Sequence, residues 1–312
     1  MEGRIQALTL VYINYMNNFI CFDIGATSIK YGILKENGEI IHKSNMDSDA
    51  RSVGGRGIIE KLIDKINYFK NIYKLSGIAI SSHGMIDSKN GIVLHADNHL
   101  IPNYSGLNIK SILEKRTNLL CELENDVNCA GLGELWLDDS PSSGLLAMIT
   151  VGTGIGACLI NNGELIRGNT MCAGEIGKTI IPDGRFEDLA STYAMTCSLE
   201  KKLARDPESI NGKMVFEEIE KGNSLAIEAV DNMIENLAIG ISNFCFTFNP
   251  AIIFLGGGIM AQESYFKPRI DEKMKKYLPE VIYKGTEIKF AKLKNDAGMI
   301  GALKNFKNIH NL

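Results

Sequence analysis

The sequence predicts an α/β protein with two lobes, each containing a mixed β-sheet flanked by helices. The first observation is an internal repetition: residues 22–41 and residues 149–166 both have the pattern strand, Gly/Thr-rich turn, strand, Asn-Gly hairpin, strand. The second is that helices and strands alternate after this beginning in both halves. The third is the length of 312 residues, which exceeds what one compact core usually holds. Two unrelated hairpins explain the repetition less well, because the Gly/Thr turns also match.

The first lobe is predicted over residues 19–137, completed by residues 297–312 from the end of the chain. Apolar spacing and turn residues predict its elements in this order: strands over 19–24, 29–34 and 39–45, a helix over 58–69, a buried strand over 77–81, a loop over 97–106, a helix over 109–115, a strand over 119–123 and a helix over 127–137.

The second lobe is predicted over residues 145–296. It is expected to contain three strands between 145 and 168, a Gly-rich irregular stretch, a helix over 224–246, a strand over 252–255 and a strand over 287–291. The final helix, predicted over 297–306, returns to the first lobe. The polar, turn-rich residues 138–144 are the best candidate for a linker. Residues 1–18 are interpreted as an N-terminal extension, in which Met16 is a candidate for the true first residue.

Composition argues against several classes of function. A net charge of −4 provides no basic surface for nucleic acid or an anionic membrane, and no apolar run approaches the roughly 20 residues that span a bilayer. The apolar residues 7–13 are too few, and lack the cleavage site, for a signal peptide. Seven scattered cysteines without a Cys-x-x-Cys pair are typical of reduced thiols, so we expect a cytoplasmic protein with neither a nucleic-acid nor a membrane partner.

The two repeated turns are suited to binding phosphate. In Asp23-Ile24-Gly25-Ala26-Thr27, Asp23 could hold Mg²⁺ directly or through water, while Gly25 and Thr27 would face phosphate oxygens. The turn Gly152-Thr153-Gly154-Ile155-Gly156 leads into another strand and would offer backbone amides to phosphate. For the first motif taken alone, plain turn chemistry is the alternative.

A third glycine motif, Gly256-Gly257-Gly258, follows a buried strand. Backbone without side chains at this point would let a flat ring approach closely. Taken alone, a glycine-rich turn without a ligand is an equally good interpretation.

Asp126 is the candidate general base. The segment Glu124-Asn125-Asp126 follows a strand and opens a helix, where an aspartate is more commonly an N-cap. The same helix end stabilises an ionised carboxylate, which can accept a hydroxyl proton during phosphoryl transfer. Asn125 would orient the hydroxyl groups of a sugar-like substrate.

Two glutamates lie in irregular, glycine-rich stretches of the second half. Glu175 is in residues 168–178, and Glu187 follows Gly184. Carboxylates on such loops suit bidentate hydrogen bonding to vicinal hydroxyls. The alternative is that both are solvated surface acids, which is usual for glutamate.

Taken together and in this order, these motifs resemble the ROK family (repressors, open reading frames and kinases) of sugar kinases from about Phe19 onward. The resemblance implies an actin-like ATPase (ribonuclease H-like) fold, ATP and Mg²⁺ as cofactors, a sugar substrate, a homodimer and Asp126 as the base. It also implies that three motifs bind the nucleotide. They are the first phosphate motif with Asp23, Gly25, Ala26, Thr27 and Lys30, the second turn with Gly152, Thr153, Gly154 and Gly156, and the adenosine-side motif with Gly256, Gly257 and Gly258.

The sequence departs from the family pattern where members often hold a structural zinc. Lys178 occupies the position of a histidine ligand, and no cysteine lies between Cys172 and Cys197. A protonated lysine cannot ligate a metal, so we expect no zinc site. Glu187 matches the sugar-contacting glutamate of zinc-free relatives, among them β-glucoside kinases, and Lys178 falls among the substrate-side residues.

The resemblance also implies substrate contacts in the first lobe. The segment 98–106 resembles the sugar-contacting loop and makes Asn103 a candidate contact, while Gly84 matches a glycine that lets the backbone approach the sugar. Together with Asn125, Asp126, Glu175, Lys178 and Glu187, these residues form the expected substrate set. The expected reaction is transfer of the γ-phosphoryl group of ATP to the 6-hydroxyl of a hexose, hexosamine or β-glucoside. A non-catalytic sugar sensor, and a transcriptional regulator of this family without its DNA-binding domain, are the alternatives.

Overall fold

The computed structural model describes residues 17–138 and 143–312. It forms two compact units: residues up to Leu137 together with Asp296–Leu312, called unit 1, and Asp138–Asn295, called unit 2. Residues 1–16 of the proposed N-terminal extension, including Met16, and residues 139–142 of the proposed linker lie outside the described residues.

Unit 1 is built on a five-stranded sheet of order β3-β2-β1-β4-β7. The first three strands are antiparallel neighbours, whereas β4 and β7 run parallel to β1. Its elements are β1 (Asn18–Ile24), β2 (Ser28–Lys35), β3 (Ile40–Asp47), α1 (Ala50–Lys70), β4 (Leu75–Ser82), β5 (Met85–Asp87), β6 (Ile92–His95), α2 (Ile109–Thr117), β7 (Cys121–Asn125), α3 (Asp126–Leu137) and α10 (Ala297–His310).

The core of unit 1 explains these elements. Apolar residues of β1 and the predicted stripe of α1, from Ile58 to Phe69, are buried together. On the other side, α10 crosses α3 so closely that a Cβ on Gly301 would lie 1.6 Å from the carbonyl oxygen of Cys129. Glycine is therefore required at this crossing, which fixes the position of the helix that begins at Asp126.

Unit 2 repeats the strand arrangement of unit 1. Its sheet has the order β10-β9-β8-β13-β14, with two antiparallel neighbours followed by two parallel ones. Its elements are β8 (Leu145–Val151), β9 (Ile155–Asn161), β10 (Glu164–Leu165), β11 (Ile180–Ile181), β12 (Gly184–Arg185), α4 (Phe186–Ala190), α5 (Thr192–Lys202), α6 (Gly212–Glu220), α7 (Ser224–Phe248), β13 (Ile252–Gly256), α8 (Glu263–Tyr277), α9 (Glu280–Gly285) and β14 (Glu287–Phe290). The predicted repetition is thus confirmed in both sheets.

The short helix α4 is held against α7. A Cβ on Gly240 of α7 would lie 2.1 Å from the ring of Phe186, which is itself 1% exposed. The buried ring therefore needs glycine opposite it, and this packing fixes the next residue along the chain, Glu187.

The structure corrects the predicted boundary between β7 and α3, which belongs to the candidate site. The strand expected over 119–123 is β7, which continues to Asn125 because Ser82 and Asn125 remain register partners at its end. Glu124 and Asn125 are therefore strand residues, and the helix begins one residue earlier than predicted, at Asp126.

All seven cysteines are free thiols, five of them buried and two, Cys172 and Cys197, partly exposed. Among residues 17–138 and 143–312, none of the helices combines the length and apolar content needed to cross a membrane.

Candidate active site

Polar side chains meet at the carboxyl ends of three adjacent parallel strands in unit 1. Asp23 of β1, Ser81 of β4 and Glu124 of β7 are register partners, so they lie side by side on one face of the sheet. The predicted residue Asp23 is thus placed beside Ser81, which the sequence analysis did not identify. The only sequence signal for Ser81 is a polar last residue in the buried strand predicted over 77–81.

Both oxygens of the Asp23 carboxylate accept hydrogen bonds. The Ser81 hydroxyl donates to Oδ1 at 2.7 Å and the Lys30 ammonium donates to Oδ2 at 3.1 Å. The start of α10 lies against the same group, since a Cβ on Gly298 would be 2.6 Å from the carboxylate. Asp23 is therefore held in one orientation, with 18% of its side chain exposed.

The first Gly/Thr turn is closed by its own backbone and supported by a buried serine. The Gly25 amide donates to the Ser28 carbonyl at 3.0 Å. Ser48, which is 0% exposed, donates its hydroxyl proton to the Ala26 carbonyl at 2.5 Å, and its amide donates to the Thr27 carbonyl. Ser48 is thus a supporting residue that only the folded chain brings to this turn.

Asp126 does not act as the conventional N-cap of α3. The Asn125 side-chain oxygen accepts from the amides of Val127, at 2.9 Å, and Asn128, at 3.1 Å. That is the bonding pattern of an N-cap residue, so Asn125 satisfies the helix end. The Asp126 carboxylate is placed in the first turn, where the positive end of the helix dipole favours its ionised form.

Asn125 also connects Asp126 to Gly84. Its side-chain nitrogen donates to the Gly84 carbonyl and to Asp126 Oδ1, both at 2.9 Å. Both polar atoms of the Asn125 amide group are therefore engaged within the protein. This geometry favours orientation of Asp126 over the direct orientation of sugar hydroxyls that was expected of Asn125.

The predicted sugar-contacting residues of unit 1 have special backbone conformations. Gly84 has φ +103°, and a Cβ there would lie 2.8 Å from the His95 carbonyl. Asn103 has φ +55°, and its amide donates to the Asn98 side chain at 2.8 Å. Both positions therefore require residues that tolerate positive φ, which the glycine and the asparagine do.

In unit 2, Glu187 lies against the second Gly/Thr turn. Its Oε2 would be 2.9 Å from a Cβ on Gly154 and 2.8 Å from a Cβ on Gly177. The turn is held further by a hydrogen bond at 2.9 Å from the Thr192 amide to the Gly152 carbonyl. A residue predicted for the substrate side is thus in contact with the predicted phosphate turn, and the glycines leave room for it.

Lys178 forms an ion pair with Glu187, with Nζ 2.5 Å from Oε1. The Glu187 side chain is 16% exposed and the Lys178 side chain 56% exposed. Glu175 precedes a short 3-10 turn, Ile176–Lys178, and its carbonyl accepts a hydrogen bond of 3.2 Å from the Lys178 amide. Lys178 and Glu187 therefore form one charged pair, and Glu175 is linked to Lys178 through the backbone.

A cavity of about 510 Å³ lies within unit 2. It brings together parts of two predicted motifs, Gly152 and Thr153 of the second turn and Gly258 of the glycine motif. The other lining residues come from segments that the sequence analysis did not connect with them: Thr192, Tyr193, Thr196, Ile210, Asn211, Gly212, Lys213, Phe216, Ile259 and Gln262. Its volume suits a small organic ligand the size of a nucleoside.

The other two glycines of the 256–258 motif allow close backbone packing. Gly257 has φ +105°, and a Cβ there would lie 2.1 Å from the Val151 carbonyl oxygen. Gly256 faces Met148, whose methyl carbon would be 2.3 Å from a Cβ. These residues therefore set the position of Gly258 and of the turn after Val151, and neither is among the residues that line the cavity.

Among the described parts of the chain, no three His, Cys, Asp or Glu side chains are grouped so that they could hold a metal ion. For Mg²⁺, the donor set at Asp23 is one carboxylate whose oxygens already accept from Ser81 and Lys30. That set fits a cation held mainly by phosphate oxygens, with Asp23 reached through water.

Comparison with known proteins finds one matching family and several related sequences. A model described as the ROK family matches residues 19–309. A glucokinase of Halalkalibacterium halodurans is 30% identical over 311 residues, covering 91% of this chain and 93% of the relative. A beta-glucoside kinase of Listeria monocytogenes is 30% identical over 294 residues, covering 91% and 96%. An uncharacterised protein of Clostridium perfringens is 43% identical over 296 residues, covering 95% and 100%.

Solved structures show the same similarity. A ROK family protein from Streptococcus pneumoniae in complex with sucrose has a TM-score of 0.81 and 28% identity, covering 94% of this chain and 99% of that one. A ROK family glucokinase from Streptomyces griseus in complex with glucose and AMPPNP has a TM-score of 0.76 and 23% identity, covering 93% and 99%.

Proposed function

Because the chain belongs to the ROK family, we propose that it transfers the γ-phosphoryl group of ATP to the 6-hydroxyl of a hexose, hexosamine or β-glucoside, with Asp126 as the base. The chain is a carbohydrate kinase, and its two sheets of identical strand order have the predicted actin-like ATPase fold. The acceptor and the role of each residue are the parts that we propose.

The observation that carries the proposal is that Asn125 caps α3, which relieves Asp126 of the capping role. Because Asn125 caps α3 and also donates to Asp126 Oδ1, Asp126 is oriented without serving as the cap. An oriented carboxylate in the same unit as the first phosphate motif can accept the proton that the acceptor hydroxyl loses as it attacks phosphorus. The positive end of the helix dipole favours the ionised carboxylate, which is the form that accepts a proton.

The donor side is supported by the cavity of unit 2. Backbone amides of the 152–156 turn, other than that of Gly152, which donates to the Gly154 carbonyl, would bind phosphate oxygens. Gly258, with nothing within 4 Å of its Cβ position, would let the adenine ring approach. The glucokinase whose structure contains AMPPNP supports ATP as the donor. Mg²⁺, when bound with ATP, supplies neutralising charge to the phosphates, and Asp23 would hold it through water.

A coupled ADP-release assay with MgATP tests this function. The panel contains glucose, mannose, fructose, N-acetylglucosamine, N-acetylmannosamine, cellobiose and gentiobiose. We expect sugar-dependent ADP release with at least one member, which would also define the acceptor. Nucleotide binding without turnover across the panel would contradict the kinase proposal in this form and favour the sugar sensor.

Glu187→Gln should raise the KM for the acceptor by about 10-fold or more, because a charge-assisted hydrogen bond to a hydroxyl would be replaced by a neutral one. The comparison variant is Lys178→Gln, which removes the ion pair but keeps the Glu187 carboxyl group. Loss of this partly exposed ion pair should cost less than about 1 kcal/mol of stability. Equal effects of the two variants on acceptor KM would mean that the ion pair, and not contact with the sugar, is what matters.

A further inference from the structure

Tyr104 has the largest of the fully buried side chains that the structure describes, and it is 0% exposed. Its hydroxyl lies 2.8 Å from the hydroxyl of Ser82, which is also 0% exposed. Ser82 Oγ also lies 3.0 Å from the His83 carbonyl oxygen, and in the Ser82–Tyr104 pair either hydroxyl can be the donor. A buried hydroxyl that loses its partner is unfavourable, so this bond fixes Tyr104 at the end of β4.

The opposite side of Tyr104 is fixed by α1. A Cβ on Gly55 would lie 2.8 Å from the Tyr104 ring, and the Gly55 amide donates to the Pro102 carbonyl at 2.8 Å. At Gly54 the helix is interrupted, with φ +62° and ψ −174°, and a Cβ there would lie 2.9 Å from the Pro102 carbonyl. The kink in α1 therefore occurs where residues 102–104 pack against it.

The segment held in this way carries Asn103, the candidate sugar contact. Ser105, the residue after Tyr104, is held as well, because its hydroxyl accepts a hydrogen bond of 2.9 Å from the Ala96 amide. Because Asn103 has φ +55° and lies directly before an immobilised side chain, its direction depends on where Tyr104 is held.

The anchor of Tyr104 is also adjacent to the proposed base. Ser82 is the register partner of Asn125, the residue that donates to Asp126. Burial raises the pKa of the Tyr104 hydroxyl well above its ordinary value, and the negative charge of Asp126 adds to this shift. The Tyr104 hydroxyl thus stays protonated and lies within electrostatic reach of Asp126.

We propose that Tyr104 is a positioning residue for the acceptor: through its hydrogen bond to Ser82, it sets where Asn103 stands relative to Asn125 and Asp126. This inference rests on the proposed kinase function. No direct contact between Tyr104 and the acceptor is required, because the side chain is buried.

The test is Tyr104→Phe, which removes the hydroxyl but keeps the ring against Gly55. We expect the acceptor KM to rise about 5- to 10-fold, because an Asn103 that is no longer held must be ordered when the acceptor binds. The KM for ATP should stay within about 2-fold, because the donor cavity is lined by residues of unit 2 alone. Tyr73→Phe, at a partly buried tyrosine of unit 1, is the matched control and should change neither KM.

Ser82→Ala removes the other partner and completes a double-mutant cycle. If the two hydroxyls act as one unit, the double variant should have an acceptor KM no higher than the worse single variant. Additive effects, an unchanged acceptor KM in Tyr104→Phe, or equal rises in both KM values would each overturn the inference. Failure of the wild-type protein to phosphorylate any sugar would instead refute the proposed function on which it rests.

Discussion

Asp126→Asn is expected to lower kcat about 10³-fold, within the range that general base catalysis contributes. The substitution preserves the shape of the side chain and an oxygen in the position of Oδ1, which accepts from Asn125 and from the Val127 amide. The variant should therefore remain folded and bind the sugar with nearly wild-type affinity. ADP release and calorimetric sugar binding, measured on the same preparation, separate these two properties.

The matched control for this prediction is Asp64→Asn, which removes the same charge from the exposed surface of α1. It should retain wild-type kcat, since Asp64 lies on a helix that is not part of the proposed site. Retention of more than about a tenth of wild-type kcat by Asp126→Asn would contradict its assignment as the base. Loss of sugar binding together with activity would instead identify Asp126 as a binding residue.

Two adjacent glycines are expected to respond in opposite ways to alanine. Gly257→Ala would place a Cβ 2.1 Å from the Val151 carbonyl oxygen, at φ +105°. Overpacking and backbone strain should together cost about 2–5 kcal/mol in the free energy of unfolding. For a unit of this size, that corresponds to a fall in Tm on the order of 10 °C, measurable by scanning calorimetry.

Gly258→Ala is the control for stability and a test of the donor cavity. No atom lies within 4 Å of its Cβ position, and the residue lines the cavity. Its Tm should change by less than about 2 °C, whereas the KM for ATP should rise several-fold because the methyl group occupies space proposed for the adenine ring. A normal Tm for Gly257→Ala would contradict the packing argument, and an unchanged KM for Gly258→Ala would contradict the placement of adenine.

Local chemistry let the sequence predict the phosphate-binding motifs and the strand pattern. The turns at Gly25 and Gly152 have short-range signals, because glycine, threonine and Asn-Gly pairs favour particular backbone conformations. Apolar periodicity likewise predicted the stripe of α1 and the long helix α7. The repetition of these signals was enough to predict two sheets, and both sheets have the same strand order.

The N-cap of α3 is a feature that local sequence signals could not predict. An aspartate at the first turn of a helix and an asparagine before it are both good N-caps, so sequence alone could not choose between them. The choice follows from β7, which pairs with β4 as far as Asn125 and thereby starts the helix at Asp126. Strand pairing between residues some 40 positions apart decides which side chain bonds to the helix amides.

Residue types and their order were enough to predict candidates for the chemistry: the glycine turns, Asp23, Asp126 and the glutamates Glu175 and Glu187. What these residues touch follows from the folded chain alone. Glu187 lies against Gly154 because α4 packs on α7, and Thr192, Asn211 and Phe216 meet Gly258 because four separate segments close around one cavity. Such contacts depend on packing between distant parts of the chain, which no local pattern of residues encodes.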